Sequence, residues 1–225
     1  MSILRNGVSV IQCTNKFNVM ENIFSNYGRQ TFKNKEMILI LNHDNFDERE
    51  WRIRAAHYPA VRVFKVPGAY TLGQCLNLGV RKSRYEVLAK FDDDDYYGEN
   101  YLRSSMRALQ NTKIDFVVRK NYYLYLTERQ ALYIHRNGRH GGCFVWRRWI
   151  SREIPFINQN TDEDVQFINA ALARGCQLFR TTDLDYVYIR NNLDQHTWKV
   201  GVDELISYGY QFVTNTRDFT RYLSK

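Results

Sequence analysis

The 225-residue sequence predicts an α/β protein whose mixed, mostly parallel sheet is flanked by helices. Three observations carry that expectation. Short apolar runs alternate with stretches of helical periodicity through the first half of the chain, the connections between them are short, and a polar cluster follows each of three runs. Strand–helix alternation of this kind builds βαβ units with right-handed crossovers, so the polar clusters gather along one sheet edge, where ligands bind in open α/β folds.

The elements follow in order. Val8–Gln12 is a short apolar run, and Phe17, Met20, Ile23, Phe24 and Tyr27 then recur at helical spacing. Glu36–Asn42 reads as a strand, Asp47–Tyr58 as a helix and Val61–Val66 as a strand. Thr71-x-x-Gln74 is a capping box opening a helix with Leu72, Cys75, Leu76 and Val80 on its apolar face. A strand over Tyr85–Phe91, a helix over Glu99–Gln110 and a strand over Ile114–Val118 follow. Beyond residue 118 the alternation fades: Tyr122–Tyr133 and Cys143–Arg148 read as longer, antiparallel strands, before a helix over Asp162–Ala173 and strands over Gln177–Thr182 and Tyr186–Arg190.

Composition sets outer limits. Hydrophobic residues make up 44% and charged residues 25%, with 3 Pro and 12 Gly, which excludes disordered and collagen-like chains. No apolar run is long enough for a transmembrane segment and Met1–Ile11 lacks a signal-peptide pattern, so the expected setting is cytoplasmic, with the inner membrane face as the alternative. The isolated cysteines Cys13, Cys75, Cys143 and Cys176 show no metal spacing and read as small core residues in a reducing compartment. A net charge of +8 fits an anionic partner or simply a basic surface. Without an RNA- or DNA-binding signature, nucleic acid is not the expected partner. G-x-S-x-G, G-x-G-x-x-G after a strand, P-loop and H-E-x-x-H motifs are missing as well.

The strongest chemical feature is Asp92-Asp93-Asp94-Asp95, directly after the strand that ends at Phe91. In extended backbone Asp92 and Asp94 share a face while Asp93 points away, and two carboxylates that close favour a cation between them. Mg²⁺ or Mn²⁺ suits such oxygen ligands and keeps positions open for substrate phosphates. The bland alternative is a solvated acidic turn. Thr161-Asp162-Glu163-Asp164 opens a helix, with Thr161 as N-cap and Asp164 at the capping-box position. One of its carboxylates could instead serve as a general base. His196, in Gln195-His196-Thr197-Trp198, is either a hydrogen-bonded structural residue or a contact to metal or diphosphate. Tyr123, Tyr125, Phe144 and Trp146 are either core or an apolar platform for a sugar ring, flanked by Arg119, Arg147, Arg148 and Arg152.

Laid out in this way, the chain resembles family 2 glycosyltransferases of the GT-A fold. Val8–Asn15 looks like that family's first strand and nucleotide loop, and Gln30-Thr31-Phe32-Lys33-Asn34-Lys35-Glu36 like its approach to the second. Leu72–Val80, with Asn77 and Gly79, followed by Tyr85–Asp95, resembles the helix and strand leading into the Asp-x-Asp motif, and Glu163-Asp164 its later acidic pair. Lys90–Tyr97 and His196-Thr197-Trp198-Lys199 are also similar to a bacterial spore-maturation-type branch. The resemblance implies one GT-A domain over 1–225, with a donor half to about residue 95, an acceptor half to about 200 and an extension beyond. It implies a nucleoside-diphosphate sugar donor, a UDP-sugar foremost, a carbohydrate or anionic glycan acceptor, a divalent cation (Mn²⁺ or Mg²⁺) and inversion at the anomeric carbon. On that basis Asp94 binds the metal, and Asp92 shares it or contacts the donor ribose. Thr14, Asn15 and Asp44 line the nucleotide, with Asn77 and His196 also on the donor side, and Asp164 is the base with Glu163 as its alternate. Where the family has Asp-Gly-Ser, this chain has Asn42-His43-Asp44-Asn45, which leaves the nucleobase open. The rival expectations are a metal-dependent nucleotidyltransferase or phosphohydrolase on the same Asp cluster, and a non-catalytic module for an anionic polymer.

Overall fold

Strands that are mostly apolar on both faces belong between two layers of helices, because neither face of such a strand can meet water without loss. A computed structural model, which describes residues 7–138, 140–191 and 201–224, bears this out for the first half of the chain. There β1 (Val8–Thr14), α1 (Met20–Arg29), β2 (Lys35–Asn42), α2 (Glu48–Ala55), β3 (Val61–Val66), α3 (Leu72–Lys82) and β4 (Val87–Phe91) alternate. β1, β2 and β4 are buried almost throughout, whereas β3, at the sheet edge, is partly exposed.

The period of two still operates inside these runs. Met37, Leu39 and Leu41 of β2 join Phe24, Tyr27 and Trp51 in the core beneath α1 and α2, while Ile38 and Ile40 face Cys75 of α3. The expected capping box forms: Thr71 Oγ1 accepts from Gln74 N (3.2 Å) and Gln74 Oε1 from Thr71 N (2.8 Å).

The second half continues with β5 (Tyr96–Tyr97), α4 (Tyr101–Ala108), β6 (Phe116–Arg119), β7 (Tyr122–Leu126), β8 (Ala131–His135), β9 (Phe144–Arg147), α5 (Arg148–Glu153), α6 (Glu163–Ala173), β10 (Leu178–Thr181), β11 (Tyr186–Arg190), α7 (Val202–Ser207) and β12 (Tyr210–Asn215). Among the described residues the strands form two sheets, ordered β10-β6-β9-β4-β1-β2-β3 and β12-β8-β7-β11-β5. The larger is parallel except where β9 runs antiparallel between β4 and β6. The run expected as a long strand over Tyr122–Tyr133 is a hairpin, β7–β8, closed at Gln130 with a positive φ of 46°.

The aromatic platform does not exist as a surface. Phe144 and Trp146 are fully buried against Phe156 and Phe167, and Tyr123 and Tyr125 pack beneath Phe219 and Leu223. Arg119 is buried too: it forms a two-pronged bond with Asp185 (Nη2–Oδ2 2.9 Å) and stacks over Tyr101 at 3.9 Å. Arg147 spends its guanidinium on the carbonyls of Leu109 and Ile114. The basic residues expected to flank a sugar are thus largely structural. Cys13, Cys75, Cys143 and Cys176 are unpaired, and all but Cys13 are buried. No helix among the described residues is long and apolar enough to cross a membrane.

Candidate functional site

β1 and β4 are parallel neighbours, so their C-terminal ends open onto the same edge of the sheet. That edge forms the floor of a cleft of about 510 Å³. Cys13 to Lys16 line it at and just beyond the end of β1, Lys90 and Asp92 to Asp94 at and just beyond the end of β4, His140 to Gly142 from the loop before β9, and Asn160 to Val165 around the start of α6.

The acidic run does not keep strand geometry. The backbone bends over Asp93–Asp95, so the alternate-face rule fails and Asp93 and Asp94 turn together onto one cation. Lys16 Nζ lies 2.9 Å from Asp93 Oδ1 and 2.7 Å from Asp94 Oδ2, and Thr14 Oγ1 donates to Asp93 Oδ2 at 2.7 Å. Asn22 Nδ2 holds the bend by donating to the carbonyls of Asp93 (2.8 Å) and Asp95 (3.0 Å). Asp95 lies beneath the cleft floor, bonded by the hydroxyl of Tyr186 and by Ile189 N (3.0 Å). Burial, reinforced by Asp94 and Asp92, pushes its carboxyl well above the ordinary aspartate range.

Across the cleft, α6 begins at Glu163 after Asp162, which adopts a left-handed φ of 62° and makes no side-chain cap. The expected capping by Thr161 and Asp164 is therefore not what the structure shows: Asp164 Oδ1 accepts from the adjacent Val165 N (2.7 Å) and its Oδ2 turns toward Lys90 (3.8 Å). Lys90, on β4, is 5% exposed at its side chain. Its Nζ lies 3.0 Å from Asp92 Oδ1, 3.6 Å from Glu163 Oε1 and 3.8 Å from Asp164 Oδ2, and donates to Gly141 O at 3.3 Å. Burial alone would lower its pKa, but Asp92, Asp164 and Glu163 outweigh that and hold it well above the usual lysine value. Glu163 is pushed up to about 7 by burial, with Lys90 opposing and Asp164 and Asp92 adding to the rise.

Glycine is required at the loop facing these carboxylates. A Cβ on Gly141 would stand 1.2 Å from Asp164 Oδ2, and one on Gly142 would stand 2.6 Å from Asp92 Oδ2. His140 Nδ1 accepts from Gly142 N (3.1 Å) and lies 2.8 Å from Tyr186 Oη. Burial pushes the pKa of His140 down to about 4, with Asp92 and Asp164 opposing.

Of the residues singled out in the sequence, Thr14, Asn15, Asp92, Asp94, Glu163 and Asp164 meet in this cleft. Two do not. Asp44 is absent from the lining because its carboxylate is taken by Gly68 N (3.0 Å); Gly68 and Asn42 line the cleft instead. Asn77 clamps Phe156, donating to its carbonyl (2.8 Å) and accepting from its N–H (2.9 Å), so its amide faces structure and not the cleft. His196 lies outside the described residues. Sequence reasoning missed Lys16, Lys90 and His140. Lys90 left a signal, a lone charge inside the apolar run Val87-Leu88-Ala89-Lys90-Phe91, while His140-Gly141-Gly142 left none.

Among the described residues no three His, Cys, Asp or Glu side chains converge on a point able to hold a metal. Asp92 and Asp94 nevertheless offer hard oxygen donors to one cleft, and Mg²⁺-type ions are commonly held by one or two carboxylates with substrate phosphates completing the shell. The donor set fits a divalent cation shared with a phosphorylated ligand.

The family model described as Glycosyl transferase family 2 matches residues 9–185. The chain belongs to glycosyltransferase family 2. Solved structures share the GT-A architecture at low identity. S. aureus TarS 1–349 superposes with a TM-score of 0.65 at 12% identity, covering 81% of this chain and 60% of that one. TarS 1–349 in complex with UDP-GlcNAc gives 0.67 at 11%, covering 83% and 59%. The mannosyltransferase PcManGT from Pyrobaculum calidifontis, in complex with GDP-Man and Mn²⁺, gives 0.63 at 15%, covering 81% and 56%. This family 2 chain therefore matches less than two-thirds of the length of these neighbours. No curated protein gives a significant match.

Proposed function

We propose that this family 2 protein transfers a sugar from a nucleoside-diphosphate donor, a UDP-sugar foremost, to a hydroxyl of a carbohydrate or anionic glycan, with inversion. The observation that carries the proposal is the meeting of Asp92–Asp94 with Glu163-Asp164 across one cleft in a chain of this family. Neighbours of the same fold bear UDP-GlcNAc or GDP-Man, the latter with Mn²⁺. The division into a donor half to about residue 95 and an acceptor half beyond it belongs to the same proposal, as does a cytoplasmic setting, which the four unpaired cysteines suit.

In this scheme Asp94 and Asp92 would hold Mn²⁺ or Mg²⁺, which when bound supplies Lewis acidity against the charge developing on the leaving diphosphate. Thr14, Asn15 and Asn42 line the nucleotide, and Lys16 adds a cation at the phosphate edge of the cleft. Asp164, its side chain 18% exposed, takes the proton from the acceptor hydroxyl as that oxygen attacks the anomeric carbon from the face opposite the diphosphate. Glu163, 4% exposed at its side chain, is the alternate base.

The direct test incubates the protein with UDP-GlcNAc or GDP-Man and Mn²⁺ and identifies the released product. Nucleoside diphosphate is the expected product. Pyrophosphate or inorganic phosphate would point to the nucleotidyltransferase or phosphohydrolase alternative. Steeply salt-dependent polymer binding without nucleotide-sugar binding would point to the non-catalytic module.

A further inference from the structure

A lysine buried near the C-terminal end of a central strand needs a reason, because an ammonium there loses its hydration and is compensated only by partners placed around it. Lys90 has four such partners, and they come from three separate parts of the chain: Asp92 from the end of β4, Glu163 and Asp164 from the start of α6, and the Gly141 carbonyl from the loop before β9. Without a cation among them, three carboxylates would repel one another, and the uncapped start of α6 would lack its ionic anchor to the sheet. We propose that Lys90 is a positioning residue of the transfer reaction, its ammonium fastening Asp164 on α6 to Asp92, just after β4, so that base and donor site keep one fixed separation. The inference rests on the assignment of Asp164 as base.

The contact lengths fit such a role. The short bond to Asp92, at 3.0 Å, anchors the ammonium to the donor side, whereas the longer approaches to Glu163 and Asp164, at 3.6 and 3.8 Å, orient these carboxylates without capturing a proton-accepting oxygen in a close hydrogen bond. Gly141 closes the arrangement: its carbonyl accepts from Lys90, and its missing side chain leaves room for Asp164 Oδ2. Loss of a positioning contact acts on the geometry of attack and therefore on kcat more than on donor affinity.

The test is a double-mutant cycle of Lys90→Met and Asp164→Asn, read as nucleoside diphosphate release from UDP-GlcNAc, and in parallel from GDP-Man, with Mn²⁺ and water as acceptor. Circular dichroism and thermal melts confirm folding. Lys90→Met should lower kcat about 100-fold while donor KM moves by less than about fivefold. In the Asp164→Asn background it should have almost no further effect, because Lys90 acts through the carboxylate already removed. Lys90→Arg, which keeps the charge, should recover part of the rate. Additive losses, an unchanged kcat in Lys90→Met, or a loss confined to KM would overturn the proposal. If Lys90→Met does not fold, Lys90→Gln replaces it in the cycle, and failure of both to fold would make Lys90 a requirement of the fold and overturn its role in positioning. Should Asp164→Asn alone leave release unchanged, the base assignment falls instead, a result distinct from any of these.

Discussion

Gly141 faces Asp164 so closely that an added methyl group has nowhere to go, and the substitution Gly141→Ala should displace the carboxylate from the cleft. Its expected effect is a large fall in turnover with the melting temperature little changed, checked by parallel kinetics and melts. Asp164→Asn should lower turnover by roughly 10²–10⁴ and largely spare donor binding, in keeping with the loss of a general base. At the other wall, Asp94→Ala should remove the metal-dependent part of donor affinity, measured by calorimetry with and without Mn²⁺. His140 makes a pH prediction. Its folded-state pKa of about 4 lies below the ordinary 6.5, so between those values the unfolded chain binds more protons and stability falls as pH drops from 6.5 toward 4. The contribution is complete above 6.5, and urea melts of His140→Asn against the parent should show a difference that shrinks across that window.

At the scale of elements, what could be read in advance followed local rules. The capping box at Thr71 and the apolar runs of β1, β2 and β4 are dictated by residues adjacent in sequence, and they form as expected. Legibility ended where tertiary contacts override a local pattern. Asp92 and Asp94 were expected to alternate with Asp93, but the side chain of Asn22, 71 residues from Asp93, pins the backbone into a bend that brings Asp93 and Asp94 to Lys16. Asp162-Glu163-Asp164 looked like a capped helix start, yet the pull of Lys90 turns Asp164 toward the cleft. Asn77, expected on the donor side, spends both ends of its amide on Phe156 across 79 residues. Asn77→Leu should accordingly destabilise the fold by about 1–3 kcal/mol through the unsatisfied Phe156 backbone while leaving donor KM nearly unchanged.

Across the whole molecule, the two sheets meet through buried polar groups as well as apolar packing. Arg119 ends β6 of the larger sheet, Asp185 leads into β11 of the smaller one, and their buried pair is closed by Ser104, Ser105 and the ring of Tyr101. Asp185→Asn should cost about 3–5 kcal/mol of stability, seen as a lowered denaturation midpoint, because the guanidinium is left buried without its counter-charge. The same junction shapes the site, since Tyr186 reaches from β11 to Asp95 under the cleft floor. The C-terminal segment, which matches no motif, adds β12 to the smaller sheet and covers Tyr123 and Tyr125 through Phe219 and Leu223. None of that could be seen in residue patterns, because a sheet completed by a strand distant in sequence leaves no local period.

The central claim is that the acidic bend after β4 holds a nucleotide sugar with a divalent cation. Thermal-shift measurement of the intact protein with UDP-GlcNAc and GDP-Man, each with and without Mn²⁺, tests it most directly, since a ligand bound to the native state raises apparent stability by mass action. A rise that needs both nucleotide sugar and Mn²⁺, and that disappears in Asp94→Ala, is the predicted result. A rise that is independent of Mn²⁺ and survives in Asp94→Ala would contradict it.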